Sequence, residues 1–348
     1  MALKQQSGAE YAALKAAIRA GDPAQLYLFY GEESYLREYY LGKLRGLFTG
    51  GPAAEFNVHR LDGRALDLDE LSAAVEALPM MAERSLIEVD DYDLFAAPEA
   101  DRTRLTALFS DLPEYVCLVF VFDTVAYKPD GRLKKLTAAL REHGHAVEFV
   151  RQSQSELAAW IVRRFRQAGK RIDTRLAEYL VFLTDGTLSS IVSEVAKVAS
   201  FASGDEIEKT DIDMVVEKSL DAQVFDITDA MAQRDFDGAL KKLSEVLAMQ
   251  TEPIPVLAAI GSNLRRMSAA HTLMARGKGP DALANLTGVK PFAAQKSMAA
   301  ARKFPRQWCD RAVVLCMETD YRLKSSADDP ERLLELLVAQ LAQEAGRA

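Results

Sequence analysis

An apolar run, Leu26-Tyr-Leu-Phe-Tyr30, stops at Gly31 and gives way almost at once to a helical pattern beginning near Ser34. A strand that turns on glycine into a helix is how phosphate-gripping domains begin. There the loop G-x-x-x-x-G-K-[ST] holds the phosphates with its backbone N–H groups and its lysine. Here the turn is Gly31-Glu32-Glu33-Ser34. It is too short for that loop, has no lysine, and puts two carboxylates where phosphate oxygens would sit. Like charges at that distance repel. The turn reads as a degenerate P-loop in a domain that keeps a nucleotide fold and has lost the chemistry. Such a chain is expected to work by gripping other proteins.

The pattern that follows supports an α/β domain up to about residue 150. A helix is expected over 9–20, a strand over 26–30 and a helix over 34–48. Strand 55–61 precedes helix 69–77, strand 85–89 precedes helix 98–110, and strand 116–122 precedes helix 131–142, with a last strand at 146–150. Run 116–122 is apolar without a break, as in a strand covered on both faces. Strands separated by single helices imply a parallel sheet with right-handed crossovers. After Ser153, with Glu156 three residues on as a capping box, the strand pattern ends. Helices are expected over 155–169, 173–184, 188–202 and 210–217, then over 223–234, 236–249, 254–276, 291–302, 306–326 and 330–345. Loop 277–280 separates two of these. The expected division is an α/β domain over 1–150, a small helical domain over 151–220 and a helical domain over 221–348.

At 348 residues two or three domains are expected. No apolar run approaches the roughly 18 to 20 residues that span a bilayer. The first residues lack the apolar core of a secretory signal. Cys117, Cys309 and Cys316 cannot all pair with one another, and buried reduced thiols in a cytoplasmic chain are the expectation. The net charge of −8 is uneven: residues 1–150 hold 16 Lys/Arg against 24 Asp/Glu, and the remainder holds 27 of each. The first domain alone is therefore a poor candidate for tight duplex binding, which needs Lys and Arg on phosphates.

Several segments, in order, resemble the delta subunit family of the bacterial DNA polymerase III clamp loader. They are Leu28-Phe-Tyr-Gly-Glu-Glu-Ser-Tyr-Leu36 and Val119-Phe-Val-Phe-Asp-Thr-Val-Ala-Tyr-Lys128 with Arg132-Leu-Lys-Lys135. Further along come Gly186-Thr-Leu-Ser-Ser-Ile-Val-Ser-Glu-Val-Ala-Lys197 and Val224-Phe-Asp-Ile-Thr-Asp-Ala-Met231 with Ala239-Leu-Lys-Lys-Leu243. The last set is Lys290-Pro-Phe, Ala300-Ala-Arg-Lys-Phe304 and Asp320-Tyr-Arg-Leu-Lys-Ser325. Their order and spacing over nearly the whole chain make the resemblance specific. It implies an AAA+-like parallel-sheet domain, a small helical domain and a helical collar domain that joins its counterparts in a pentamer. It also implies a subunit that hydrolyses no ATP, binds the ring-shaped β sliding clamp and opens one of its interfaces. Implied partners are the gamma/tau and delta prime subunits, and primed DNA through the assembled complex.

In that family the clamp contact is a pair of large apolar residues at the tip of the first domain, just before a strand. The matching stretch is Ala77-Leu-Pro-Met-Met-Ala-Glu-Arg-Ser85, which assigns the role to Leu78, Pro79, Met80 and Met81. Met-Met departs from the common Leu-Phe or Phe-Phe, yet methionine is flexible and polarizable and suits an apolar pocket. The plainer alternative is that both pack under strand 85–89.

Other clusters have bland readings. Glu32 and Glu33 suit the positive end of a helix. Asp90, Asp91 and Asp93 read as a solvated acidic turn. His59, His143, His145 and His271 lack ligand spacing, and no metal or cofactor is expected. Glu194 and Lys197 read as an ion pair. The basic residues Lys128, Lys134, Lys135, Arg163, Arg164, Lys170, Arg171 and Lys303, with Lys290, Lys296 and Arg302, are solvated faces or, if DNA threads an assembly, phosphate contacts without base specificity. Two rivals stand beside the resemblance. One is an active AAA+ ATPase of a clamp or helicase loader, which would need the missing P-loop lysine. The other is a helical DNA-binding or scaffold protein.

Overall fold

A computed structural model describes residues 2–50, 54–249 and 251–347. By its internal contacts the chain divides into two units, 1–152 and 153–348.

The first unit runs α1 (Ala2–Ala20), β1 (Leu26–Tyr30), α2 (Ser34–Phe48), a 3-10 turn (Ala54–Asn57), β2 (Val58–Asp62), α3 (Leu68–Glu76), β3 (Ser85–Asp90), α4 (Glu99–Ser110), β4 (Val116–Val121), α5 (Lys134–His143) and β5 (His145–Glu148). The strands form one sheet in the order β2-β3-β4-β1-β5, and every pairing is parallel. This is the AAA+-like arrangement, with β1 inside the sheet.

Side-chain alternation along each strand makes two cores. Leu26 and Leu28 of β1, Ile87 and Val89 of β3, and Leu118 and Phe120 of β4 face one layer with Leu71, Leu105 and Leu136 of α3, α4 and α5. Tyr27, Phe29, Cys117, Val119 and Val147 face the other, with Leu14 of α1 and Leu41 and Leu44 of α2. β4 is buried at every position, as its unbroken apolar run requires. Glu88 of β3 is fully buried, and Arg45 of α2 meets its carboxylate at 2.5 and 2.8 Å.

The second unit is helical: α6 (Gln154–Gln167), α7 (Thr174–Leu183), α8 (Leu188–Phe201), α9 (Lys209–Val215), α10 (Leu220–Ala232), α11 (Phe236–Ala248), α12 (Pro253–Met274), α13 (Pro280–Thr287), α14 (Pro291–Ala301), α15 (Arg306–Ser325) and α16 (Pro330–Arg347). The capping box at Ser153 and Glu156 is formed. A large core drawn from α10 to α16 includes Ile260, Trp308 and Leu337.

Three expectations need correcting. The expected loop 277–280 gives way at Pro280 to helix α13, which the periodicity does not predict; only Leu283 is buried in it, so no apolar stripe marks it, although Pro280 and Gly288 stand at its ends. Strand 55–61 opens instead as a 3-10 turn, and β2 starts at Val58. Helix 131–142 starts three residues late, at Lys134, because Asp130 accepts the Leu133 N–H and ties up Arg132.

The three cysteines are buried and free, and burial pushes each thiol up to about 12. Among the described residues, no helix is long and apolar enough to cross a membrane and no cluster of His, Cys, Asp or Glu could hold a metal ion.

Candidate protein-docking tip and the closed crevice

In a parallel sheet the carboxyl ends of the strands lie along one edge, where nucleotide folds bind their ligands. Here that edge is filled by the chain itself. Gly31 follows β1 with φ of 116°, and a Cβ on it would lie 2.4 Å from the carbonyl oxygen of Phe149, just past β5. The Glu33 N–H donates to that same oxygen at 2.9 Å, and the Phe149 N–H donates to the Tyr30 carbonyl at 2.7 Å. An amide that a P-loop would aim at phosphate is therefore already bonded. Glu32 pairs with Arg151 at 3.3 Å. Glu33 is buried at the start of α2. Burial pushes its carboxyl up, opposed by the Tyr35 N–H and by Arg151.

Arg37 of α2 is buried in the same edge. It donates to the Gly31 carbonyl at 2.8 Å and pairs with Asp123 beyond β4. Asp91, expected in a solvated turn, is 5% exposed and left-handed (φ 57°). Its carboxylate accepts from the N–H groups of Asp123 and Thr124 at 2.8 Å, from Val125 at 3.1 Å and from the Thr124 hydroxyl at 2.7 Å. Burial alone would raise this carboxyl, but those donors outweigh it and hold it below the usual carboxylate range. Asp91 is a buried staple between β3 and the loop after β4. The acidic run concealed it because its neighbour Asp93 is exposed.

The opposite edge differs. Loop 77–84 leaves α3 and enters β3 at the amino ends of the strands, with large apolar side chains turned outward: Leu78 is 78% exposed, Met80 51% and Met81 84%. They do not pack under β3. Met80 leans on a hollow of about 260 Å³ lined also by Leu47, Phe48 and Arg84. The backbone is held firmly all the same. Asn57, 1% exposed at the foot of β2, accepts the Met80 N–H at 2.7 Å and donates to the Met80 carbonyl at 2.9 Å. Met81 follows with φ of 52°, a left-handed conformation unusual for a long side chain.

A family model described as DNA polymerase III, delta subunit, matches residues 27–150, and one for the C-terminal domain of the same subunit matches residues 221–341. The chain belongs to the DNA polymerase III delta subunit family. DNA polymerase III subunit delta of Bacillus subtilis is 29% identical over 330 residues, which is 93% of this chain and 94% of that protein. A probable subunit delta from Aquifex aeolicus is 20% identical over 274 residues, 76% of each. The solved Bacillus subtilis DNA clamp loader delta protein superposes with a TM-score of 0.58 at 26% identity, covering 96% of this chain and 99% of that one.

In this delta-family chain the basic candidates divide by what they touch. Lys128, Lys134, Lys135, Arg163, Arg164, Arg171 and Lys303 are exposed. Lys170 is half-buried and its ammonium caps the end of α8, on the carbonyls of Ala202 at 2.8 Å and Gly204 at 2.7 Å. Lys290 is not a phosphate contact: its ammonium donates to the carbonyls of Val181 at 2.7 Å and Thr184 at 3.0 Å, and burial pulls its pKa down against Asp185 and Asp221. Lys296 pairs with Asp229, and Glu194 with Lys197, both at 2.7 Å.

Sequence reasoning missed Asn57. The one available signal was an asparagine inside an expected strand, where its β propensity is poor.

Proposed function

We propose that this delta-family chain binds the β sliding clamp through Leu78, Pro79, Met80 and Met81 and holds one interface of the ring open for loading onto primed DNA. The observation that carries this is the tip: an exposed methionine pair on a loop whose backbone is fixed from within. Each methionine, once fully buried in a pocket of the ring, contributes roughly 1.5–3 kcal/mol. That sum suits a contact made and released in each loading cycle. Opening follows if the tip fits the sprung interface better than the closed one, since a ligand shifts an equilibrium only by its differential affinity.

The chain itself performs no catalysis in this reading. The amide of the turn is bonded to Phe149 and the loop has no lysine, so ATP would act on gamma or tau neighbours, with delta prime completing the pentamer. The division into 1–150, 151–220 and 221–348 belongs to the same proposal. It is supported by the α10–α16 core and by the stretch of residues between the two matched segments. The exposed Lys128, Lys134, Lys135, Arg163, Arg164, Arg171 and Lys303 would meet phosphates in the assembled complex, with Lys170 beside them. A subunit that loads clamps on DNA works where the DNA is, in the cytoplasm.

The test is surface plasmon resonance with immobilised β clamp. The native chain should bind without nucleotide, Met80→Ala/Met81→Ala should bind far more weakly, and a fluorophore pair across one clamp interface should separate on binding. Micromolar ATP binding by the purified chain, or unchanged clamp binding by the double variant, would overturn the reading.

A further inference from the structure

We propose that Asn57 is a positioning residue for the docking tip: it sets the conformation in which Met80 and Met81 meet their partner, without touching that partner itself. This rests on the docking reading above. Asn57 ends the 3-10 turn before β2, and β2 lies beside β3 with Val58 opposite Leu86. Its amide therefore sits at the foot of the strand next to the one the tip feeds. That amide bonds both polar backbone groups of Met80, as a neighbouring peptide would. At 1% exposure it is beyond reach of a docked protein.

Two features show what this grip does. A loop with three exposed apolar side chains has little to pack against, so packing alone leaves its backbone free. And Met81 sits in the left-handed region, which is unfavourable for a long side chain and persists only where the surroundings impose it. Met80, held at both backbone groups, is the fixed point from which Met81 turns outward. A tip frozen beforehand loses less conformational entropy on binding, so more of the burial of the two side chains appears as affinity. Asparagine suits the place because its side chain offers a donor and an acceptor in the geometry of a peptide group.

The experiment is a double-mutant cycle on the full chain, read as clamp affinity by surface plasmon resonance and as amide exchange at residues 80–82. Asn57→Ala should weaken clamp binding about tenfold and speed exchange of the Met80 N–H, while circular dichroism shows the chain folded. Asn57→Asp keeps the acceptor for the Met80 N–H and loses the donor to its carbonyl. It should fall between the native chain and Asn57→Ala, and it replaces Asn57→Ala in the cycle if that variant does not fold. In the Met80→Ala/Met81→Ala background either change should cost no further affinity, because Asn57 acts only through the tip. Additive losses would place its effect elsewhere and overturn the proposal. So would faster exchange with unchanged affinity. If Met80→Ala/Met81→Ala binds as the native chain does, the docking reading itself falls; if that variant fails to bind while the Asn57 variants bind normally, only the positioning role falls.

Discussion

The two edges of the sheet solve opposite problems. At the carboxyl edge, polar groups that a nucleotide fold leaves open for a ligand are bonded internally: the Glu33 N–H to Phe149, Arg37 to Gly31 and Asp123, and Asp91 to three amides and a hydroxyl. At the amino edge, apolar side chains that a fold normally buries stand outward on a backbone pinned by Asn57. The first edge resists change because its buried residues Glu33, Arg37 and Asp91 are each tied to the chain by hydrogen bonds. The second tolerates side-chain change in stability terms and concentrates its sensitivity in binding. A fold can thus give up one site and carry another at the far end of the same strands.

The strongest challenge to this contrast is Gly31→Ala. A Cβ there meets the Phe149 backbone on a conformation that L residues avoid, so a loss of about 4 kcal/mol, or failure to fold, is expected in urea denaturation. A stable Gly31→Ala chain would mean the crevice is looser than described. Asp91→Ala comes next, at about 3 kcal/mol, since it removes the shared acceptor of three amides and a hydroxyl. Its pH dependence has a definite sign. The Asp91 carboxyl lies below its ordinary value in the folded chain, so its stabilisation is fully present above the unfolded value of about 4 and is lost as pH falls through the lower native value. Asp91→Asn should flatten the stability curve below about pH 4, measured by thermal melts across that range.

At the other edge Met80→Ala/Met81→Ala should leave the melting temperature nearly unchanged and weaken clamp binding by about 2–3 kcal/mol, roughly 30- to 150-fold by surface plasmon resonance. A large loss of stability would show that the pair is part of the core after all. Leu78→Ser should give the smallest effect, about 0.5 kcal/mol or less in stability, with a several-fold loss of clamp affinity.

Much of this was legible from residue pattern. β1, α2, β3 and β4 lie within a residue of where periodicity puts them, because each carries an apolar face that must be buried. The degenerate turn could be read directly, since a missing lysine and a short loop are facts of order along the chain. Helix α13 escaped because a single buried leucine makes no stripe. Lys290 looked like its basic neighbours, and only its position against the end of α7 turns it to carbonyls.

Order along the chain determined the alternation of strands and helices, the lack of a phosphate grip, and the placing of a methionine pair just ahead of a strand. Those follow from side-chain chemistry at fixed spacing. Tertiary structure alone decided that the methionines face outward, that Asp91 is buried and that Asn57 grips Met80. Asn57 and Met80 are 23 residues apart. Contacts at that range form only when β2 and β3 pair, and no local preference encodes which groups that pairing brings together.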